Sequence, residues 1–204
     1  MPAPKVAIII YTLYGHISEM AEAVKAGVVA AGGNPTIYQV AETLTPELLT
    51  LVKAPPKPDY PIATVETLTE HDAFIFGIPT RFGNMPVQWK AFWDATGPLW
   101  FTGALAGKHA GIFVSTNTLG GGQETTAINM MSTLTHHGII YVPFGYATAF
   151  PLLTDMSEIH GGTPWGAGTF AGSDGSRKPS ALEKKMATNQ GTAFYNIVAK
   201  SFKP

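Results

Sequence analysis

Residues 6–18, VAIIIYTLYGHIS, contain the strongest indication of fold class in the chain. Its first six residues, 6–11, are apolar and mostly β-branched, as is typical of a central parallel strand that is covered on both faces. From residue 18 to residue 31 apolar positions recur at helical spacing, and GGNP at residues 32–35 ends the helix. The chain therefore opens with a strand, a tight loop and a helix.

The same alternation continues along the chain. Further apolar runs predict strands at residues 36–40, 72–78, 110–115 and 139–144. Helices are predicted at residues 47–52, after Pro86 around Trp89, Phe92 and Trp93, at residues 124–136, and after the capping-box spacing of residues 180–183. Strands that alternate with helices are typical of a doubly wound α/β fold, here with five parallel strands and helices on both faces.

One segment, residues 147–179, does not fit this alternation. A length of 204 residues suits a single domain that covers residues 1–204. Segment 147–179 is rich in glycine, shows no periodicity, and is longer than an ordinary connection between elements. We expect it to be an irregular loop that lines a site or an interface.

The composition excludes several classes of protein. With 13 basic and 14 acidic residues and a net charge of -1, the chain has no electrostatic footprint for nucleic acid. It has no cysteine, which excludes disulfides, cysteine-bound metals and thiol catalysis, so redox chemistry needs a borrowed cofactor. Charged residues make up only 13% of the chain, and a weakly polar surface tends to be covered by another subunit.

The apolar segments also bear on location. The amino-terminal run ends at Gly15 without the cleavage pattern of a secretory leader, so a strand is the better interpretation. No apolar stretch approaches the ~18 residues of a membrane-spanning helix. We therefore expect a soluble, cytoplasmic protein without an integral membrane segment, one that can still lie peripherally at a membrane.

Ligands of open α/β sheets bind at the carboxyl ends of the strands, so the loops after the first, third and fourth strands form the candidate site. The first loop combines a hydroxyl, backbone amides and a helix start, which suits a phosphate group. Its residues are Thr12, Leu13, Tyr14, Gly15, His16 and Ile17. A plain helix-capping turn is the alternative. The Walker A motif and the G-x-G-x-x-G motif are missing, which favours a mononucleotide.

The other two loops suit a flat ring. The loop after the third strand joins a hydroxyl, a guanidinium and an aromatic ring, in Pro79, Thr80, Arg81, Phe82, Gly83 and Asn84. The loop after the fourth strand has successive glycines that let the backbone approach a ligand closely, and comprises Ser115, Thr116, Asn117, Thr118, Leu119, Gly120 and Gly121. The alternatives are a proline-rich loop with Phe82 in the core, and a flexible glycine turn.

His136, His137 and Trp100 are further candidates. The two histidines end a predicted helix, where a cation is favourable. Adjacent side chains on a helix point about 100° apart, so no metal site is expected there. Trp100 is either a core residue or an aromatic that stacks on a planar substrate.

Several sequence blocks resemble one known family over nearly the whole chain. They include YGHISEMA at residues 14–21, FGIPTRFGNMP at 76–86, GGGQE at 120–124 and GGTPWGAGTFAGSDGSRKPS at 161–180. In content and order these blocks resemble the WrbA family of flavodoxin-like NAD(P)H:quinone oxidoreductases, including its fungal members. The resemblance implies a flavodoxin-like sheet with strand order 2-1-3-4-5.

The resemblance also implies a cofactor, FMN, and a role for each loop. The first loop would wrap the FMN phosphate, the second would flank the isoalloxazine ring, and the third would follow its polar edge and ribityl chain. Tyr14 corresponds to a nicotinamide contact and Trp100 to an aromatic wall of the substrate pocket. His136 corresponds to a flavin-site histidine that comes from a neighbouring subunit of a homotetramer, with a dimer as the smaller alternative.

The function implied is a two-electron, ping-pong reduction of quinones to hydroquinones, with NADH or NADPH as the electron donor and a role in oxidative stress. No residue would act covalently, and Arg81 or His136 could stabilise negative charge that develops during the reaction. Two alternatives are a flavodoxin-type electron carrier and a regulatory or scaffolding flavodoxin-like protein. A carrier usually presents an acidic docking face, against which the net charge of -1 argues.

Overall fold

The computed structural model describes residues 3–202. Its strands are β1 (Val6–Ile10), β2 (Thr36–Gln39), β3 (Ala73–Pro79), β4 (His109–Thr116), β5 (Ile140–Tyr141) and β6 (Gly168–Phe170). Its helices are α1 (His16–Ala30), α2 (Pro46–Leu51), α3 (Val65–Glu70), α4 (Val87–Asp94), α5 (Gly97–Thr102), α6 (Gln123–His136), α7 (Phe150–Leu153) and α8 (Ala181–Lys200).

The strands form one parallel sheet of order β2-β1-β3-β4-β5, which confirms the flavodoxin-like fold class and the predicted strand order. Because all of these pairs are parallel, the carboxyl ends of β1, β3 and β4 lie at one edge of the sheet. The register places Ile10 beside Gly77 and Pro79 beside Ser115. The three predicted site loops therefore start next to one another.

The sheet is covered on both faces, as the apolar run of β1 predicts. Ile8 and Ile10 belong to the core layer that packs against α1 and α8. Ala7 and Ile9 point to the opposite layer, which contains residues of α4 and α6. Successive side chains of a strand face opposite sides, so a strand buried in both layers has no polar alternation.

Segment 147–179 departs from the prediction that it lacks regular structure. It contains α7 and a sixth strand, β6, which pairs in parallel with the end of β4 through Val114 and Gly168. β5 spans only Ile140–Tyr141 instead of the predicted residues 139–144. The Ile112 carbonyl, which a longer β5 would need as its next acceptor, instead accepts a hydrogen bond from Gln190 Nε2 (2.8 Å).

Two short helices, α3 and α5, were missed by the sequence analysis. Each has six residues, which is too short for a helical periodicity to stand out. Trp100 lies inside α5. Within residues 3–202 no helix has the length and apolar character to span a membrane.

Helices α1 and α8 lie in unusually close contact at two glycines. A Cβ atom added to Gly27 would lie 2.0 Å from the carbonyl oxygen of Thr188, and one added to Gly191 would lie 2.2 Å from that of Val24. The hydroxyl of Thr192 also donates a hydrogen bond to the Gly27 carbonyl across the same contact (2.9 Å). The position of α1, and of the loop before it, is thus set by α8.

Candidate cofactor site

The loops after β1, β3 and β4 line a single cavity of about 440 Å³. The structure brings together most of the predicted residues from the three loops. The predicted residues that do not line this cavity are Gly15, Gly83, Asn84, Leu119 and Gly120. Those five instead shape the turns that carry the lining residues or extend into solvent.

The amino terminus of α1 borders the cavity and has free hydrogen-bond donors. Gly15 precedes the helix at φ 92°, a conformation that favours glycine, and its amide donates to Thr12 Oγ1 (3.1 Å). The amides of His16, Ile17 and Ser18 have no acceptor within residues 3–202. Free amides at the positive end of a helix dipole form an anion site, so this loop suits a phosphate group.

The loop after β3 ends in a tight turn that presents an aromatic ring. The amide of Arg81 donates to the Asn84 carbonyl (2.7 Å), and the Asn84 amide donates back to the Arg81 carbonyl (3.0 Å). Phe82 and Gly83, at the tip, have φ values of 55° and 72°. For Phe82 this conformation costs about 1 kcal/mol or more. A bond from Asn129 Nδ2 to the Gly83 carbonyl (2.7 Å) holds the turn against α6, leaving the Phe82 ring fully exposed.

The loop after β4 is closed by backbone bonds and by a residue of the long segment. The amide of Gly121 donates to the Thr118 carbonyl (3.0 Å), and a Cβ atom at Gly121 would lie 2.7 Å from that oxygen. The Ala171 amide donates to the Thr116 carbonyl (2.8 Å), so Ala171 becomes a wall of the cavity. Sequence reasoning missed Ala171, although the family-specific block at residues 161–180 contains it.

A charged cluster lies behind the first loop. The Glu42 carboxylate accepts hydrogen bonds from the Tyr11 hydroxyl (3.0 Å), from Gln88 Nε2 (3.0 Å) and from Lys57 Nζ (2.7 Å). Burial alone would raise the pKa of Glu42, but the bonds from Lys57 and other donors outweigh it and lower this pKa to about 2. Burial and the bond to Glu42 raise the pKa of Tyr11.

This cluster supports the site through Lys57, whose ammonium also donates to the carbonyl of Thr12 (2.5 Å). The first residue of the loop is thereby tied to a carboxylate that stays ionised at neutral pH. No sequence pattern indicated this cluster, because its members lie on four separate segments of the chain.

Trp100 and His136 lie together, but away from the cofactor cavity of their own chain. Both line a second hollow of about 390 Å³ between α4, α5 and α6. Trp100 is 55% exposed, and His136 is exposed with its Nδ1 at 2.7 Å from the Ser132 carbonyl. His137 is instead buried and bonded to Thr96 Oγ1 (2.9 Å). Within one protomer, neither Trp100 nor His136 reaches the cavity.

The residues present fit FMN. The free amides of His16, Ile17 and Ser18 and the hydroxyl of Thr12 offer donors to a phosphate group. Among the residues that the structure describes, no acidic side chain lines the cavity, so none of them repels a dianion there. The exposed Phe82 ring supplies apolar contact for a flat ring system.

Curated proteins of several fungi are similar to this chain over nearly its whole length. NAD(P)H quinone oxidoreductase PST3 of Candida albicans is 67% identical over 198 residues, covering 97% of this chain and 100% of that protein. Protoplast secreted protein 2 of Saccharomyces cerevisiae is 66% identical over 197 residues, covering 97% and 99% of the two chains.

Solved structures and a family profile agree with these relatives. A flavodoxin, WrbA-like protein from Agrobacterium tumefaciens has a TM-score of 0.67 at 20% identity, covering 97% of this chain and 99% of that one, which supports the fold. Flavodoxin 1 from Bacillus cereus has a TM-score of 0.56 at 14% identity, covering 94% and 97%. The profile of the NADPH-dependent FMN reductases matches residues 4–150. These findings confirm the resemblance inferred from the sequence: the chain belongs to the NADPH-dependent FMN reductase family.

Proposed function

We propose that this protein is an FMN-dependent NAD(P)H:quinone oxidoreductase, which transfers two electrons from NADH or NADPH to a quinone and yields a hydroquinone. The observation that carries the proposal is the convergence of three loops on one cavity with an anion site and an aromatic tip. Relatives 62–67% identical that bear the name NAD(P)H quinone oxidoreductase support it. The proposed location is the cytoplasm, or a membrane surface where apolar quinones collect.

Bound FMN would supply the redox chemistry, accepting a hydride from the nicotinamide and passing two electrons to the quinone. The chain itself binds and orients. The amino terminus of α1 holds the phosphate, and Tyr14, which is 42% exposed, stands at the cavity mouth. The Arg81 guanidinium lies at the same mouth and can hold negative charge on a quinone oxygen. One open mouth serves both substrates, so they bind in turn and the reaction is ping-pong.

We further propose that the active form is a homotetramer, with a dimer as the smallest competent unit. Trp100 and His136 share a hollow that has no lining residue in common with the cavity of their own chain, and in this proposal a neighbouring protomer brings them to the flavin. The same helices expose large apolar side chains, among them Val87, Phe101 and Ile128. Apolar surface of this extent on α4, α5 and α6 is typical of a subunit interface.

The decisive experiment for the function uses the purified protein saturated with FMN. Adding NADH or NADPH without oxygen is expected to bleach the visible absorption of the flavin, and benzoquinone is expected to restore it. With both substrates present, steady turnover and parallel lines in a double-reciprocal plot are expected, as for a ping-pong order. Bleaching without quinone turnover would favour the electron carrier. A protein that binds no FMN would favour the scaffold.

Trp100→Ala tests the part of the proposal that concerns the substrate pocket. Loss of one stacking surface is expected to lower kcat/KM for the quinone roughly fivefold, because an aromatic contact contributes on the order of 1 kcal/mol. FMN content should change little, because the proposed phosphate donors are the amides at the start of α1, not Trp100.

The matched control for Trp100→Ala is Trp100→Phe, which keeps an aromatic ring at the same position of α5. It is expected to keep kcat/KM within about twofold, with oligomeric state monitored by light scattering for both variants. Equal quinone kinetics in Trp100→Ala and the wild-type protein would mean that Trp100 does not line the quinone pocket.

A further inference from the structure

A strap, which we define as residues 171–180, runs from the cavity wall to the start of α8. At its beginning the amides of Ala171 and Gly172 donate to the carbonyls of Thr116 (2.8 Å) and Asn117 (2.9 Å). At Arg177 the strap closes on itself, because the Arg177 amide donates to the Ala171 carbonyl (2.9 Å). The strap is therefore a short closed loop, and the position of Arg177 determines that of the cavity wall.

The side chain of His16 links this strap to the helix that borders the anion site. His16 is buried in the first turn of α1, and its Nε2 lies 2.8 Å from the Arg177 carbonyl oxygen. A carbonyl oxygen only accepts, so Nε2 carries the hydrogen and donates it to the strap. The contact joins residues 161 positions apart in the chain.

The other side of Arg177 is anchored to a buried carboxylate. Arg177 Nη1 donates to Glu183 Oε2 (2.9 Å), and the Glu183 side chain is 0% exposed. Glu183 also accepts from the amides of Gly161 and Ser180 and from the Thr169 hydroxyl, each at 2.8 Å. A carboxylate with this many donors is fully satisfied, so it holds Arg177 firmly in place. The His16 hydrogen bond then links α1 to this anchored residue.

We propose that His16 is a positioning residue, whose side chain clamps the strap to the first turn of α1 and so couples closure of the strap to retention of the flavin phosphate. This rests on the proposed function, in which the backbone amide of His16, and not its ring, meets the phosphate. When the clamp opens, the first turn loses a rigid neighbour and the Ala171 wall loses its support. Binding energies are reciprocal, so a strap that strengthens FMN binding must itself be held closed by FMN.

The test compares His16→Leu, which removes the donor, with His16→Gln, whose Nε2 can take the place of the imidazole nitrogen. The readouts are hydrogen exchange of the amides of residues 171–177 in the full-length apoprotein, and the Kd values for FMN and riboflavin. His16→Leu is expected to accelerate strap exchange and to weaken FMN about tenfold, the size of one buried hydrogen bond. Riboflavin, which lacks the phosphate, should change less than about threefold. His16→Gln should restore both readouts.

A further hydrogen-exchange measurement uses the wild-type protein alone. In the wild-type protein FMN should slow exchange at residues 171–177 more than riboflavin does. Equal slowing, or none, overturns the coupling. Unchanged strap exchange or an unchanged FMN-to-riboflavin ratio in His16→Leu also overturns it, as does a failure of glutamine to rescue. A wild-type apoprotein that binds neither flavin refutes the proposed function instead, and the exchange rates of the apoproteins then still decide whether His16 holds the strap.

Discussion

Gly191→Ala is expected to destabilise the protein by about 3 kcal/mol or more, against the ordinary rule for helices. Alanine in a helix interior is normally more stable than glycine by roughly 1 kcal/mol. At Gly191, however, the new Cβ atom would lie 2.2 Å from the carbonyl oxygen of Val24, and 3.1 Å from the amide nitrogen of Val28. These are backbone atoms that no rotamer change can move, so α1 and α8 must separate and lose packing along their length.

The measurement for Gly191→Ala is chemical denaturation with and without FMN, because displacement of α1 also displaces the anion site at its amino terminus. FMN affinity is therefore expected to fall together with stability. The matched control is Gly97→Ala, at the first position of α5, where an added Cβ atom meets nothing within 4 Å. That change should be neutral or slightly stabilising. If Gly191→Ala proved as stable as Gly97→Ala, the close contact between the two helices would be refuted.

Most strands and long helices could be predicted because long elements carry their own signal, whereas the strand order was implied by the family resemblance. The uninterrupted apolar run of β1 predicts a strand that is buried on both faces, and all five of its residues are buried. β6 gave no such signal. Its three residues form a strand only because β4 offers a free edge there, and the pairing of Val114 with Gly168 joins positions that no local pattern connects. Tertiary contact, not propensity, makes this strand.

The site residues also fall into two groups, those that could be predicted from the sequence and those that could not. The loops after β1, β3 and β4 could be located from the sequence, since the topology alone brings strand ends together. Ala171 and the Glu42–Lys57 pair could not, because each acts through a long-range contact. For Trp100 and His136 the sequence indicated their importance through a resemblance. In the proposed assembly they act at the cavity of a second protomer, and such a placement is a property of the assembly, which a single chain does not encode locally.

Thr12→Asp is expected to weaken the binding of FMN far more than the binding of riboflavin, which lacks the phosphate. Thr12 Oγ1 accepts a hydrogen bond from the Gly15 amide, and an aspartate oxygen can accept the same bond, so the loop should keep its shape. The new carboxylate would stand where we place the phosphate. Two unit charges about 4 Å apart repel by about 4 kcal/mol at an effective dielectric constant of 20, which corresponds to roughly a thousandfold loss of FMN affinity.

The apoprotein of Thr12→Asp should meanwhile gain stability, by about 1 kcal/mol, because the carboxylate supplies a negative charge to the free amides at the start of α1. Thermal unfolding without FMN measures that gain, and flavin titration measures the affinities. Riboflavin should bind within about tenfold of its wild-type affinity, since it brings no charge to this end of the cavity.

Thr12→Ser, which keeps the hydroxyl, is the control and should bind FMN within about threefold of wild type. Wild-type FMN affinity in Thr12→Asp would mean that the phosphate lies elsewhere, whereas an equal loss for FMN and riboflavin would mean that the loop itself had collapsed. A phosphate site at a helix terminus requires that apoprotein stability rises while FMN affinity falls. The added carboxylate takes the place of the phosphate in the apoprotein, and the same carboxylate repels the phosphate of FMN.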